Sequence, residues 1–117
     1  MKVAIVGSRD IMIENIGAYV SKEDEIVSGG AEGVDACAAA YALANRIPYT
    51  EFLPDYKRYG RAAPIVRNKE IVLYADRVVV FWNGTSRGAL SVIQYAKKIG
   101  KPLEVVLCTA ENKKEGG

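Results

Sequence analysis

The stretch VVVFWNGTSRG, residues 78–88, passes from a run of β-branched and aromatic residues into a polar, glycine-containing turn, and a helical pattern follows. The same order occurs in VAIVGSR, residues 3–9, and in IVSGGAEG, residues 26–33. Continuous apolar runs of this kind are typical of strands buried on both faces of a parallel sheet. Because the carboxyl ends of parallel strands share one edge of a sheet, the sequence predicts that the three turns meet at one site.

The segments around these turns alternate between strand and helix patterns. Strands are predicted at residues 2–6, 25–28, 49–53, 77–82 and 103–107, and helices at about 12–21, 34–45, 63–74 and 87–99. Residues 55–61 are predicted to form a loop. This alternation predicts an α/β fold, a Rossmann-like doubly wound three-layer sandwich. We expect about five parallel strands in the order 3-2-1-4-5, with helices on both faces of the sheet.

Length and composition indicate one domain. The chain has 117 residues, of which half are hydrophobic and about a quarter are charged. These values are close to the averages of soluble globular proteins. We assign residues 1–110 to a single Rossmann-like domain and residues 111–117 to a polar C-terminal tail. No signal-peptide pattern or apolar stretch of about 20 residues is present, so we predict a cytoplasmic protein without a membrane partner.

The charge and the rare residue types exclude several function classes. The net charge of +2 does not require a nucleic-acid partner. The chain has no histidine, which excludes Ser-His-Asp, Cys-His and His-zinc chemistry. Cys37 and Cys108 are predicted to be reduced thiols, and no metal site is predicted.

The turn after the second predicted strand, SGGAEGVD, partly resembles a dinucleotide-binding fingerprint. Ser28 replaces its first glycine, and the acidic residue expected about 20 positions later is missing, so an ordinary NAD site is not predicted. Gly29, Gly30 and Gly33 either relieve backbone strain in a tight turn or bring N–H groups to a phosphate or ribose. Asp35 is either favoured by the helix dipole or accepts hydrogen bonds from ribose hydroxyls.

The first and third turns carry further candidates. In the first turn, Gly7 and Ser8 precede Arg9, whose guanidinium would either pair with a surface carboxylate or clamp a phosphate in bidentate fashion. The third turn combines small and polar residues, which are compatible both with helix capping and with phosphate binding through free N–H groups. Its candidate ligand-binding residues are Asn83, Gly84, Thr85, Ser86 and Gly88.

The segment between the third strand and the next helix supplies the remaining candidates. In YKRYGR, residues 56–61, aromatic and cationic residues alternate, so Tyr59 either stacks on a base or belongs to a solvated loop. Within the following helix, Ile65, Val66, Ile71 and Val72 are predicted to face the core. Arg67 and Asn68 are therefore expected on the exposed side or on the side of the crevice.

Taken together, these residues resemble the SMF/DprA–LOG (SLOG) group of Rossmann-like nucleotide-binding domains, and within it the small stand-alone YspA-like branch. The resemblance covers residues 3 to about 106. It depends on the order and spacing of Gly7-Ser8-Arg9, SGGAEGVD, YGRAA, Arg67-Asn68, Ala75-Asp76, GTSRG, Ala96 and Gly100-Lys101-Pro102. It implies a nucleotide-derived ligand, a cytosolic location and a homodimer or higher homo-oligomer. It also implies that Arg67 and Asn68 belong to the site or support it.

The chain departs from two members of that group. LOG-type enzymes cleave the N-glycosidic bond of nucleoside 5′-monophosphates and carry a Pro-Gly-Gly-x-Gly-Thr-x-x-Glu turn. The corresponding region here, residues 82–92, has no counterpart of that glutamate. DprA-like proteins bind single-stranded DNA but have additional segments and a more basic surface.

We therefore predict a small sensor or binding domain for a nucleotide, either a nucleoside phosphate or an ADP-ribose-like ligand, that requires no cofactor. Phosphate would be held by backbone N–H groups of the second and third turns, namely those of Gly29, Gly30, Thr85 and Ser86, with Arg9 as the clamp. Two alternatives stay open. One is a nucleotide N-glycoside hydrolase that uses Glu32 or Asp35 to activate water. The other is a DprA-like core that binds single-stranded nucleic acid through Arg58, Arg61, Arg67 and Arg87.

Overall fold

The computed structural model describes residues 1–108 and contains a single sheet of five parallel strands in the order β3-β2-β1-β4-β5. The strands are β1 (Lys2–Gly7), β2 (Glu25–Ser28), β3 (Tyr49–Glu51), β4 (Arg77–Trp82) and β5 (Leu103–Leu107). The predicted fold class and strand order are confirmed. The third strand is two residues shorter than predicted. The predicted domain end at residue 110 and the tail 111–117 lie outside the described residues.

Four α-helices and two short 3-10 turns connect the strands. The helices are α1 (Val34–Ala44), α2 (Tyr56–Tyr59), α3 (Ala63–Tyr74) and α4 (Arg87–Ile99). The 3-10 turns are Ile16–Ala18 and Gly60–Ala62. The prediction of a loop at 55–61 is wrong in detail, because the Asp55 carboxylate accepts a hydrogen bond from the Arg58 N–H and starts the one-turn helix α2.

The core lies on both faces of the sheet. Along β1, Val3 and Ile5 point to the face covered by α1, whereas Ala4 and Val6 point to the face covered by α3 and α4. These four side chains are at most 5% exposed. Successive side chains of a strand point to opposite faces, so a strand covered on both sides has no polar position. This explains the unbroken apolar runs of β1 and β4.

The helix predicted at 12–21 is wrong, since only Ile16–Ala18 forms a 3-10 turn there. A glycine inside a helix costs about 1 kcal/mol relative to alanine, and Gly17 lies in the middle of this segment. A Cβ at Gly17 would lie 2.5 Å from the Tyr41 hydroxyl, so the chain passes close to α1 at this point. The buried Ile16 still anchors the segment on the α1 face of the sheet.

The prediction that Ile65 faces the core is also wrong, because its side chain is 52% exposed. The buried face of α3 is formed by Ala63, Asn68, Ile71 and Val72. Ile65 therefore lies on the outer side of the helix, away from the sheet.

The topology leaves a crevice at the carboxyl edge of the two central strands. Gly7 at the end of β1 is paired with Phe81 of β4. From β1 the chain continues toward β2 and from β4 toward β5, so the connections leave in opposite directions. Open α/β sheets bind their ligands at such a switch point. Within residues 1–108, no helix is long and apolar enough to cross a bilayer.

Candidate functional site

A crevice of about 270 Å³ opens between the ends of β1 and β4. All three predicted turns contribute to it, and α3 closes one side. The candidate residues that line it are Gly7, Arg9, Asp35, Arg67, Asn68, Ser86 and Gly88. The sequence prediction that the three turns lie together is therefore correct in outline, although the turns contribute unequally.

Ser8 joins the three turns from behind the crevice. Its side chain is buried, and its Oγ accepts a hydrogen bond of 3.1 Å from the Asn83 N–H. The Ser8 N–H donates to the Phe81 carbonyl, and the Ser8 carbonyl accepts from the Val34 N–H at the start of α1. Ser8 thus positions the turns, because its polar groups are occupied by protein partners.

Gly33 allows the first two turns to approach closely. Its φ of +72° lies in a region that L-residues with a side chain rarely adopt. A Cβ at this position would also collide with the backbone carbonyls of Ser8 and Arg9. A glycine is therefore needed here for both conformation and space.

The Asn83 side chain organises the third turn. Its Oδ1 accepts hydrogen bonds of 2.8 Å from the N–H groups of Thr85 and Ser86. These are two of the N–H groups that the sequence analysis assigned to phosphate. The next two N–H groups, those of Arg87 and Gly88, have no hydrogen-bond partner within residues 1–108. The donors available to a ligand are therefore shifted into the first turn of α4.

The N-terminus of α4 has the character of an anion site. The helix is 13 residues long, and Ser86 caps it by accepting a hydrogen bond of 3.3 Å from the Ala89 N–H. The first turn of such a helix carries a partial positive charge of about half a unit. Gly88 has no side chain that would cover this end, so its N–H group stays accessible from the crevice.

Arg9 supplies a full positive charge on the crevice wall. Its side chain is exposed, and within the described part of the chain its guanidinium forms neither an ion pair nor a hydrogen bond. The sequence left two roles open for Arg9, and the structure shows no ion pair between Arg9 and a carboxylate of residues 1–108. The five donors of the guanidinium remain available to a ligand.

Asp35 places a buried carboxylate in the same crevice. The residue is 5% exposed, its Oδ2 accepts a hydrogen bond of 3.3 Å from the Ala31 N–H, and within residues 1–108 no hydrogen bond reaches its Oδ1. Burial raises the pKa of Asp35 above its ordinary value. The Ala31 N–H and the positive charge of Arg67 act in the opposite direction and lower the pKa in part.

A hydrogen-bonded chain connects the second turn to the third through α3. Arg67 donates from Nη1 to the Gly29 carbonyl at 2.5 Å and from Nε to Asn68 Oδ1 at 2.8 Å. Asn68 Nδ2 then donates to Ser91 Oγ at 2.9 Å, and Ser91 donates to the Gly88 carbonyl at 2.8 Å. Asn68 is 8% exposed, so the middle of this chain is shielded from water, whereas the hydrogen bond of Ser91 to the Gly88 carbonyl is exposed. We name it the Arg67–Ser91 chain.

Sequence reasoning missed Ser91. A signal was present, because Ser91 lies three residues after Gly88 and therefore on the same helix face. A hydroxyl one turn inside a helix that begins at a candidate turn can donate to a carbonyl of that turn, as Ser91 does to Gly88.

Several other predicted residues lie outside the crevice. Ser28 is fully buried and donates to the Ile5 carbonyl at 2.7 Å, so it stabilises the sheet. Tyr59 is half-buried on α2, with the Arg58 guanidinium 5.2 Å from its ring centroid. Glu32 is exposed. Gly30, Gly84 and Thr85 are likewise not among the residues that line the crevice.

The family model described as YAcAr (YspA, cpYpsA-related SLOG family) matches residues 1–59, just over half of the 117-residue chain. The chain belongs to this SLOG family. The resemblance to SLOG domains and to their YspA-like branch, predicted from the motifs, is thereby confirmed. No curated protein and no solved structure gives a significant match to the chain.

The matched half of this SLOG domain contains only part of the crevice. Arg9 and Asp35 lie inside residues 1–59, whereas Asn68 and Gly88 lie beyond them. The site is therefore completed by α3 and α4, in the part of the chain that the family model does not match.

Proposed function

We propose that this SLOG domain binds a nucleotide or another nucleoside phosphate in the crevice, with the phosphate between Arg9 and the first turn of α4. The observation that carries the proposal is that the Arg9 guanidinium, which has no partner in the part of the chain that the structure describes, and the N-terminus of a 13-residue helix line the same crevice. Each is a donor set suited to phosphate oxygens. Their combination at the switch point of a parallel sheet favours a phosphorylated ligand over an uncharged one.

The charges give the ligand a direction in the crevice. A phosphate is repelled by the Asp35 carboxylate, so it is held instead by Arg9 and the first turn of α4, which also line the crevice. The Asp35 end then accepts hydrogen bonds from sugar hydroxyls. This proposal differs from the sequence prediction for Gly29, because the Gly29 N–H lies against the Asp35 carboxylate, where it helps to lower the pKa of Asp35.

The size of the crevice indicates which part of a nucleotide it encloses. Sites for small molecules usually measure about 300–1,000 Å³, and this crevice, at about 270 Å³, lies just below that range. A phosphate and a ribose would be enclosed, while the base would extend beyond the crevice. Recognition of the base is then weaker than recognition of the phosphoribosyl part.

The hydrolase alternative has one observation in its favour. Asp35 is a buried acid in the crevice with a raised pKa, which is a property of many catalytic carboxyls. Among the described residues that line the crevice it is the only carboxylate, since Glu32 is exposed outside it. A hydrolase that uses Asp35 would release free base from a nucleoside monophosphate, and Asp35→Asn would abolish that release.

Titration calorimetry with the four common ribonucleoside 5′-monophosphates tests the proposal. We expect Arg9→Gln to weaken binding about 10- to 100-fold, because a hydrogen bond to a charged group contributes about 1.5–3 kcal/mol. Arg46→Gln is the matched control, since Arg46 is exposed just after α1, away from the crevice. Absence of binding at millimolar nucleotide, or equal binding by the Arg9 variant, would refute the proposal. Chromatography of the same mixtures detects free base and so distinguishes binding from cleavage.

Three further expectations from the sequence remain predictions: the cytoplasmic location, the homo-oligomer and the weaker alternative of single-stranded nucleic acid. Of the arginines considered for nucleic acid, Arg67 is engaged with the Gly29 carbonyl and Arg58 lies over Tyr59. Light scattering measures the oligomeric state, and a salt-dependent gel shift would support nucleic-acid binding.

A further inference from the structure

The carboxylate of Asp35 and the guanidinium of Arg67 approach the same point beside Gly29. A Cβ at Gly29 would lie 2.9 Å from Asp35 Oδ2 and 2.8 Å from Arg67 Nη1. Within residues 1–108 the two charged groups nevertheless form no ion pair with each other. The absent side chain of Gly29 therefore leaves a gap beside an acceptor and a donor, and both of these residues line the crevice.

The protein does not saturate either group. Asp35 is 5% exposed, and in the part of the chain that the structure describes no hydrogen bond reaches its Oδ1. Arg67 donates to the Gly29 carbonyl and to Asn68 Oδ1, which leaves some of the five N–H groups of its guanidinium free. A buried oxygen without a hydrogen bond costs free energy in the ligand-free protein. A ligand group that supplies the missing hydrogen bond therefore gains affinity.

A hydroxyl group matches this pair of residues, because it donates to Asp35 and accepts from Arg67. A phosphate oxygen does not, since it lacks a donor and its charge is repelled by Asp35. The pair also lies close to the proposed phosphate position. The Ser8 carbonyl accepts a hydrogen bond of 3.3 Å from the Val34 N–H, so the residues that follow, Arg9 and Asp35, extend from adjoining backbone segments. A nucleoside 5′-phosphate has its hydroxyls on the same sugar ring that carries the phosphate, which is the arrangement that these two residues fit.

We propose that the crevice selects nucleotides whose 2′- and 3′-hydroxyls are both free, with Asp35 as acceptor and Arg67 as donor. This inference rests on the proposed function, because it takes the phosphate to lie at Arg9 and the start of α4. A nucleotide inside a nucleic-acid chain has a phosphodiester on its 3′-oxygen, which would bring a negative charge to Asp35. The ligand class is therefore a free ribonucleotide, or a dinucleotide joined through its 5′-phosphates, and not DNA or RNA.

Calorimetry that compares the four common ribonucleoside 5′-monophosphates with their 2′-deoxy, 2′,3′-dideoxy and 3′-phosphorylated analogues tests this inference. We expect the dideoxy forms to bind about 10- to 100-fold more weakly than the ribonucleotides, because a hydrogen bond to a charged group is lost. The 2′-deoxy forms, which keep one hydroxyl, should lie between the two. The 3′,5′-bisphosphates should bind more weakly than the monophosphates although they carry more negative charge.

Two variants place the effect at the gap beside Gly29. Asp35→Asn should lower the preference for ribonucleotides over dideoxynucleotides at least threefold, because a neutral hydrogen bond is about half as strong as one to a charged group. Gly29→Ala adds a Cβ to the gap without removing a charge, and should reduce the preference below about twofold. The matched control is Glu32→Gln, since Glu32 is exposed outside the crevice. Circular dichroism checks that each variant is folded, and the comparison of nucleotides on the unaltered chain does not depend on the variants.

The outcomes separate the two proposals. If ribonucleotides bind no more tightly than dideoxynucleotides, or if the bisphosphates bind more tightly than the monophosphates, the inference fails while the proposed function stands. A preference that Glu32→Gln lowers as much as Asp35→Asn also overturns the inference, since net charge alone would explain it. If no nucleotide of any class binds, the proposed function fails and the inference fails with it.

Discussion

Replacement of Asn68 by alanine should destabilise the domain although the residue lies in a candidate site. The change removes the acceptor of Arg67 Nε at 2.8 Å and the amide group that donates to Ser91 Oγ at 2.9 Å and to the Gly88 carbonyl at 3.4 Å. Ser91 keeps its own hydrogen bond to the Gly88 carbonyl. The Arg67–Ser91 chain is therefore broken in its middle. The hydrogen-bonded connection that the Asn68 side chain makes between α3 and the first turns of α4 is lost.

The magnitude follows mainly from the two shorter of the three lost hydrogen bonds, because the bond to the Gly88 carbonyl is long at 3.4 Å. The bond from the charged Arg67 contributes about 1.5–3 kcal/mol, and the neutral bond to Ser91 about 0.5–1.5 kcal/mol. Arg67 is half-exposed, so water replaces part of the lost interaction, whereas Asn68 is 8% exposed. We expect a loss of about 2 kcal/mol in the free energy of unfolding. For a domain of this size this corresponds to a fall of about 10 °C in Tm.

Thermal and urea denaturation followed by circular dichroism measure this loss. The matched control is Asn45→Ala, because Asn45 is exposed and donates one hydrogen bond of 2.9 Å to the Tyr41 carbonyl. We expect the control to lose less than about 1 kcal/mol. A double-mutant cycle with Ser91→Ala should give a coupling energy of about 0.5–1.5 kcal/mol with Asn68. If Asn68→Ala is no less stable than Asn45→Ala, the Arg67–Ser91 chain does not stabilise the fold.

Two further predictions concern carboxylates with opposite pKa shifts. Asp35→Asn should raise the stability of the ligand-free protein at pH 7, because burial raises the pKa of Asp35 and makes its ionised form unfavourable in the folded state. The gain in stability should shrink as the pH falls through the raised pKa, since wild-type Asp35 then takes up a proton. Thermal scans from pH 8 to pH 4 measure the difference in Tm between variant and wild type. A variant that is less stable than wild type at pH 7 would contradict the prediction. Glu25→Gln should instead lose about 1 kcal/mol at pH 7, because the Thr50 and Tyr74 hydroxyls donate to Glu25 Oε2 and lower its pKa below 4.5. The contribution of ionised Glu25 to stability is present above pH 4.5 and disappears as the pH falls through the lowered pKa. Urea titrations should therefore give a larger loss in the free energy of unfolding for Glu25→Gln at pH 7 than at pH 3. Equal losses at both pH values would argue against the prediction.

Much of the fold was predictable because β1 and β4 contain unbroken apolar runs, VAIV at residues 3–6 and VVVFW at residues 78–82. Such runs are typical of parallel strands that are buried on both faces, and the neighbours of these strands then follow from the crossover rule. The segment 12–21 was not predictable by the same reasoning. Ile13, Ile16 and Val20 have helical spacing, but the close approach of Gly17 to Tyr41 depends on tertiary packing.

The candidate site was predictable as a place but not as a set of donors. Turns that follow parallel strands must share an edge, so Arg9, Asp35 and Gly88 could be expected together. The Asn83 side chain decides which N–H groups remain free for a ligand, because its amide oxygen accepts hydrogen bonds from the N–H groups of Thr85 and Ser86. A side-chain rotamer of this kind is not encoded in the spacing of residues.

The central position of β1 has a consequence for the order in which the molecule assembles. Ser28 and Ile5, which join β2 to β1, are 23 residues apart, whereas Asp76 and Lys2, which join the β4 side to β1, are 74 apart. Closing the longer loop costs about 1 kcal/mol more in chain entropy. During synthesis β1 therefore pairs with β2 first and waits for its second neighbour until β4 has been made. The two walls of the crevice meet only at that late step, so capture of a ligand would report that folding is complete.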